Sequence, residues 1–236
     1  MQTIYETPLK IELSDSKLFV DGKEHPSSVR MLSELKDVLM NDISIDENPE
    51  MYYMFRDICK KNGMRYDITF IPNRKMAGEC AKTYGHCHPI AEDRLTYPEI
   101  YQVLAGRALF ILQEELANAA NIVTMVDAKK GDTVLIPPNH CHVSVNPGPE
   151  NLLLANIVAD NFKSIYEIFR ENRGAAYYYT ESGELIQNTN YVVEKNERAS
   201  PAELNKRYNF ECKDLLTEFY ENHEKFEFLK KPSLIF

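Results

Sequence analysis

Between positions 51 and 158 the chain breaks into short apolar runs separated by Gly, Pro and Asn, and this rhythm restricts the fold more than any other feature. The runs fall at 66–71, 100–104, 108–112, 122–126, 133–136, 143–145 and 152–158. Each is too short for a self-supporting helix. Regular short strands with turn residues between them predict an antiparallel sandwich or barrel, so the fold class is mainly β.

The flanks read differently. Residues 10–13 and 18–20 suggest two short strands around the Ser14-Asp15-Ser16 turn. Ser27 and Ser28 can cap a helix over 29–40, with Met31, Leu32, Leu35, Val38 and Leu39 on one stripe. Residues 162–170 suggest a helical turn, and 176–193 a last hairpin turning at Ser182-Gly183. Ser200-Pro201-Ala202-Glu203 is a capping box with proline at the first helical position. Beyond it, Leu215, Leu216, Phe219, Tyr220 and Phe226 recur at helical spacing. The expected division is a β-rich domain over 1–198 with an N-terminal strand and helix arm, then a helical extension over 199–236. That extension would pack on the barrel or on a partner subunit.

Composition excludes several function classes. A net charge of −9 and a pI near 5.3 speak against a nucleic-acid groove, which needs clustered Lys and Arg. The same charge repels anions at long range, so any phosphate site is expected to work through local hydrogen bonds. No stretch approaches the ~20 apolar residues of a membrane span, and positions 1–15 lack the apolar core of a signal peptide. The five cysteines (59, 80, 87, 141, 212) form no CxxC pair. The expectation is a cytoplasmic protein with reduced thiols and no membrane partner.

The chemistry concentrates in Gly85-His86-Cys87-His88, then Glu99 and Gly106. On a strand, alternation sends His86 and His88 to one face and Cys87 to the other. A second segment runs Gly131, Pro137, His142, Asn146 and places another His after a turn. An HxH pair alone can be two solvated histidines, and a lone His142 can be structural. If the two segments face each other across a barrel, three imidazoles and a carboxylate converge on one divalent cation: Fe(II), Mn(II), Ni(II), Co(II) or Zn(II). A zinc site through Cys87 and Cys141 is disfavoured, because alternation turns those sulfurs away from the histidines.

These paired segments resemble the two motifs of the cupin superfamily, G-x5-H-x-H-x(3,4)-E-x6-G and G-x5-P-x4-H-x3-N. The second is complete. In the first, ten residues separate His88 from Glu99, and the leading glycine is displaced. Glu92 keeps the usual distance from His88 but lacks the glycine seven positions on, which Glu99 has in Gly106; Glu99 is therefore preferred.

Within cupins the chain most resembles the cupin-type glucose-6-phosphate isomerases. Thr83-Tyr84-Gly85-His86-Cys87-His88, the run from Tyr97-Pro98-Glu99 to Ala105-Gly106, and Ile136-Pro137-Pro138 before His142 carry the likeness, which covers about residues 27–190. The resemblance implies a double-stranded β-helix (jelly-roll barrel) and a metal-dependent aldose–ketose isomerase of glycolysis and gluconeogenesis. It implies one metal ion, Fe(II) first, held by His86, His88, Glu99 and His142. Glu99 and Tyr101 are the catalytic candidates: Glu99 as the base of a proton transfer through a cis-enediol, if it leaves the metal when substrate arrives, with direct hydride transfer as the alternative, and Tyr101 lining the sugar site. Tyr52, Thr69, Thr83 and Gly85 would hold the phosphate, and Tyr166 would approach the sugar. A homodimer is expected from the barrel's edge strands. The family's second His near Tyr166 is absent, and Lys163 or Ser164 occupies that region. The rival readings are a cupin oxygenase with the same ligands and a metal- or sugar-binding cupin without catalysis.

Overall fold

The computed structural model describes residues 1–44, 46–115 and 120–236. Four short strands, β1 (Gln2–Tyr5), β2 (Ile11–Ser14), β3 (Lys17–Val20) and β4 (Lys23–His25), form an N-terminal antiparallel sheet. Then come β5 (Ser28–Met31), the one-turn α1 (Leu32–Leu35), β6 (Glu50–Lys61), β7 (Met64–Ile71) and the small pair β8 (Lys75–Met76) and β9 (Glu79–Cys80). A second small hairpin, β10 (Ile90–Glu92) and β11 (Leu95–Thr96), precedes β12 (Glu99–Ala105), β13 (Arg107–Glu115) and β14 (Ala120–Lys129). β15 (Thr133–Ile136), β16 (His140–Val145) and β17 (Leu152–Ala159) complete the central block. The chain closes with α2 (Glu167–Glu171), β18 (Tyr177–Tyr179), β19 (Leu185–Gln187), β20 (Val192–Ala199), α3 (Pro201–Arg207) and α4 (Leu215–Glu221).

Two sheets make the barrel: one in the order β15-β12-β17-β7-β6-β5, the other β16-β13-β14-β20. This is the expected cupin architecture, with its core between the sheets. The larger sheet is covered on both faces. Along β7, Arg65, Asp67 and Thr69 face the cavity between the sheets. Tyr66, Ile68 and Phe70 instead join a second core with Ile11, Leu18, Phe219 and Phe226. Burial on both faces explains why the central strands read as near-continuous apolar runs.

The N-terminal sheet and the C-terminal helices thus form a second layer on the barrel. Fully burying Phe219 and Phe226 stabilises that layer by about 1.5–3 kcal/mol each. Gln102 on β12 ties it in polar terms: its amide donates to Lys213 O (3.0 Å) and its carbonyl accepts from Leu215 N (2.9 Å) and Tyr5 Oη (3.3 Å). Asn205 on α3 accepts from Leu135 N (3.0 Å) and donates to Thr133 O (2.8 Å), so it satisfies the free edge of β15. One edge that could have paired with a second copy is therefore already covered.

Two expectations fail. The helix over 29–40 is mostly absent: Ser28–Met31 is a strand paired with β6, followed by one α-turn and a 3-10 turn, Lys36–Val38. Leu35, Val38 and Leu39 are fully buried, so the apolar stripe was real, but strand pairing overrode helix propensity. The expectation of reduced thiols also fails, because Cys87 and Cys141 are disulfide-bonded; Cys59, Cys80 and Cys212 are free. His86 pairs with His142, which places Cys87 directly opposite Cys141 on the reverse face with Cα atoms 4.1 Å apart. That is the close, non-hydrogen-bonded pair of an antiparallel ladder. Among the described residues, no helix is long and apolar enough to cross a membrane.

Candidate metal centre

His86 and His142 exchange both backbone hydrogen bonds, at 3.0 and 2.9 Å, which locks their imidazoles side by side. His88, two residues on, shares the face of His86, and their Nε2 atoms lie 3.0 Å apart. His88 Nδ1 sits 2.8 Å from Tyr97 O and donates to it, leaving the Nε2 lone pair for a ligand. Glu99 opens β12 and directs Oε2 at all three rings: 3.2 Å from His142 Nε2, 3.5 Å from His88 Nε2 and 3.9 Å from His86 Nε2. Its other oxygen accepts from Asn156 Nδ2 at 2.7 Å.

This donor set fits a divalent cation. One atom from each of His86, His88, Glu99 and His142 lies within 4.8 Å of every other. An ion about 2.1 Å from each donor needs neighbouring donors roughly 3 Å apart at right angles and about 4 Å apart when opposed. Glu99 Oε2 and His142 Nδ1 are buried and make no hydrogen bond among the described residues. A buried carboxylate oxygen without a donor is costly unless a cation faces it.

The electrostatics prepare the same state. Burial, then the neighbouring His142 and His88, push His86 far below the usual histidine range; burial lowers His88 to about 4 against the pull of Glu99. Both are neutral at neutral pH, the form in which an imidazole can bind a metal. Burial raises the Glu99 carboxyl, but the adjacent His142 and His88 outweigh it and hold it below the usual range. Tyr101 Oη lies 3.2 Å from His142 Nε2. Burial and the Glu99 charge push its phenol far above the ordinary value, so it stays a protonated donor.

The predicted site residues share one cavity. Tyr52, Thr69, Thr83, Gly85 and Tyr166 line the same hollow as His86, His88, Glu99 and Tyr101. The Tyr52 hydroxyl accepts from Arg30 Nε and Tyr84 N, both at 3.3 Å, so its own proton is free to donate into the cavity. Thr83 Oγ1 accepts from Ser144 N at 3.1 Å and is likewise left to donate. Gly85 has φ +82°, and a Cβ there would meet the Phe169 ring at 2.8 Å. Gly106 ends β12 at φ +75°, where a Cβ would press to 2.4 Å from Asn151 O; this is the steric demand behind the motif glycine. Glu92 lies elsewhere, half-buried and accepting from Ser233 N at 2.6 Å.

The ten residues between His88 and Glu99 contain the β10–β11 hairpin, which is part of the site's frame. Tyr97 stacks on Phe162 (centroids 4.5 Å, 14° between planes), and Phe162 packs against His88 at 4.6 Å. Ser164, rather than Lys163, lines the cavity where the family's second His was sought.

Several further polar groups of the cavity wall were not singled out by the sequence reading. Arg56, Arg65, Asp67 and Asn156 also face the cavity. Arg65 Nε donates to Asp67 Oδ2 at 2.8 Å, and Asp67 Oδ1 accepts from Asp57 N at 2.8 Å. Burial raises the Asp67 carboxyl against the pull of Arg65. Counting back by twos from Thr69 reaches Asp67 and Arg65, and forward from Tyr52 reaches Arg56, so strand alternation was the available signal.

A family model described as glucose-6-phosphate isomerase (GPI) matches residues 29–196. The chain belongs to the glucose-6-phosphate isomerase family. The match begins at β5 and ends within β20, so it takes in His86, His88, Glu99 and His142 and leaves α3 and α4 outside. Among solved structures, the chain is similar to an oxalate oxidase in complex with the substrate analogue glycolate. That likeness has 19% identity and a TM-score of 0.35, over 44% of this chain and 46% of that one. It is also similar to a cupin 2 conserved barrel domain protein from Rhodopseudomonas palustris, with 10% identity and a TM-score of 0.38, over 65% of this chain and 81% of that one. The chain thus spans about half the length of the oxalate oxidase it matches. No curated protein sequence matches it.

Proposed function

We propose that the protein interconverts glucose 6-phosphate and fructose 6-phosphate with one divalent ion per chain, iron(II) foremost, on His86, His88, Glu99 and His142. The observation that carries this reading is the convergence of those four donors on a cavity walled by hydroxyls, in a chain of the isomerase family. When bound, the ion would supply Lewis-acid stabilisation of negative charge growing on the sugar's first two oxygens.

The chain's own groups account for the rest. Glu99 lines the cavity as an ionised carboxylate. It would take the proton from C2 and return it to C1 through a cis-enediol, direct hydride transfer being the alternative route. Asn156 holds one carboxylate oxygen, so the group presents a fixed edge to the substrate. Tyr101 is a protonated donor 3.2 Å from His142 Nε2 and would hydrogen-bond a developing oxyanion there. The hydroxyls of Tyr52, Thr69 and Thr83 and the Gly85 backbone would hold the phosphate at the other end and fix the sugar in register. We further propose a cytoplasmic homodimer acting in glycolysis and gluconeogenesis.

A coupled assay with fructose 6-phosphate on metal-stripped protein, repeated after adding each divalent ion, tests the reading. Turnover restored by one or more ions is the expected result. A fully loaded protein that turns over no sugar phosphate would leave a metal-binding cupin, and oxygen uptake by that protein would mark an oxygenase instead.

A further inference from the structure

The hydroxyl cradle lacks a charge to match a phosphate dianion, yet two guanidinium groups line the cavity, those of Arg56 and Arg65. Arg65 is committed to the buried Asp67, and Arg30, behind Tyr52, to Glu34 (3.2 Å) and the Tyr52 hydroxyl. Arg56 differs. Among the described residues it has no carboxylate partner, in a chain of net charge −9. Its guanidinium contacts are a weak one to Ser28 Oγ at 3.4 Å and one to the Met54 thioether at 3.1 Å. Most of its five N–H donors are therefore free.

Those two contacts locate the charge. Ser28 pairs with Met54, and Met54 pairs with Thr69, so Arg56 folds back along β6 to the level of Thr69. The fold-back coincides with an irregularity in the β6–β7 ladder between Phe55 and Cys59, where Asp57 adopts φ +62°. Asp67 pins this bulge through Asp57 N and holds Arg65 with its other oxygen. Bulges next to a site re-aim the neighbouring side chain.

We propose that Arg56 is the substrate's charge partner: an exposed arm, aimed by the Asp67-pinned bulge, that closes onto the phosphate held by Tyr52, Thr69 and Thr83 and selects phosphorylated over neutral sugars. This deepens the proposed isomerase reading and rests on it for the identity of the sugar. The pairing of a planar guanidinium with phosphate oxygens is bidentate and charge-assisted. It answers the long-range repulsion from the acidic surface with a short-range attraction, at a point where Thr donors alone give hydrogen bonds without charge.

The test compares full-length wild type, Arg56→Met and Arg56→Lys, all metal-loaded, by calorimetric titration with fructose 6-phosphate, fructose and inorganic phosphate. A charged hydrogen bond contributes about 1.5–3 kcal/mol, so Arg56→Met should weaken fructose 6-phosphate and inorganic phosphate roughly 10- to 100-fold. Fructose binding should not move, metal content should stay at the wild-type level, and Arg56→Lys should recover part of the loss. The wild-type affinity should also fall with added salt, and that slope should flatten in Arg56→Met. Unchanged phosphate and sugar-phosphate affinity in Arg56→Met overturns the proposal, as does a wild type that binds neither. A wild type that binds phosphate through Arg56 but isomerises nothing keeps this inference and sinks the isomerase reading.

Discussion

Replacing Glu99 by Gln separates its two suggested roles, because the change preserves shape and removes only the charge. The amide oxygen can still accept from Asn156 Nδ2, now at 2.7 Å from Oε1. The other atom becomes an NH2 group placed where Oε2 now stands, 3.2 to 3.9 Å from three imidazole nitrogens. One anionic donor of four is lost. Taking about 3 kcal/mol, the top of the range for a charged contact, the metal dissociation constant should rise roughly a hundredfold, with the three imidazoles still bound. At saturating metal that deficit vanishes and the proton-transfer role is exposed. Positioned general bases contribute about 10²- to 10⁴-fold, so turnover of Glu99→Gln should fall by that factor with the site full. The assay is coupled turnover of fructose 6-phosphate alongside metal content, with deuterium uptake from solvent at C1 and C2 in the wild type. Turnover within threefold of wild type at full occupancy would refute the base role. An absence of deuterium in the wild-type product would favour direct hydride transfer.

Other consequences follow from the same geometry. Tyr97→Ala removes the ring that backs Phe162 and His88, and should weaken metal binding about 10- to 100-fold, as loss of an outer partner typically does. Tyr97→Phe keeps the stack and should stay near wild type in a chelator competition. The Cys87–Cys141 bond closes a loop of 54 residues, so Cys87→Ala/Cys141→Ala should lower unfolding stability by about 2–4 kcal/mol in denaturant titration. Free-thiol counting on unreduced protein should find three thiols; five would contradict the bond. In metal-stripped protein, His88 titrates near 4 instead of 6.5, so the unfolded chain takes up the proton first and acid favours unfolding. The His88 contribution should fall as pH drops through about 6.5 and level off near 4, losing about 3 kcal/mol from this group, while His86, lowered further still, adds a loss of the same sign that continues below that pH. A flat profile over that window, by thermal or urea melts, would contradict the buried neutral ring.

The His86–His88–Glu99 part of the cluster was legible because its determinants are local, and His142 was found through a second motif. Alternation places His86 with His88, and Gly106 marks the strand end that begins at Glu99. What stayed hidden depends on pairing between distant segments. Alternation turned Cys87 and Cys141 away from the histidines correctly, but only the 86–142 register shows that their reverse faces meet. The apolar stripe at 29–40 became a strand and two short turns because β6 supplied a partner for Ser28–Met31. Net charge describes the whole surface and carries no signal of the cavity, which gathers Arg56 and Arg65 from adjacent strands. The β10–β11 hairpin and the C-terminal segment both depart from the family's motifs, and they touch each other through Glu92 and Ser233.

Metal stoichiometry by mass spectrometry on dialysed protein, wild type against His142→Ala, is the most direct examination of the centre. Wild type should retain close to one divalent ion per chain, and His142→Ala, still folded by its circular dichroism, should lose most of it. Equal metal in both proteins, or none in a folded wild type supplied with each ion in turn, would contradict the account.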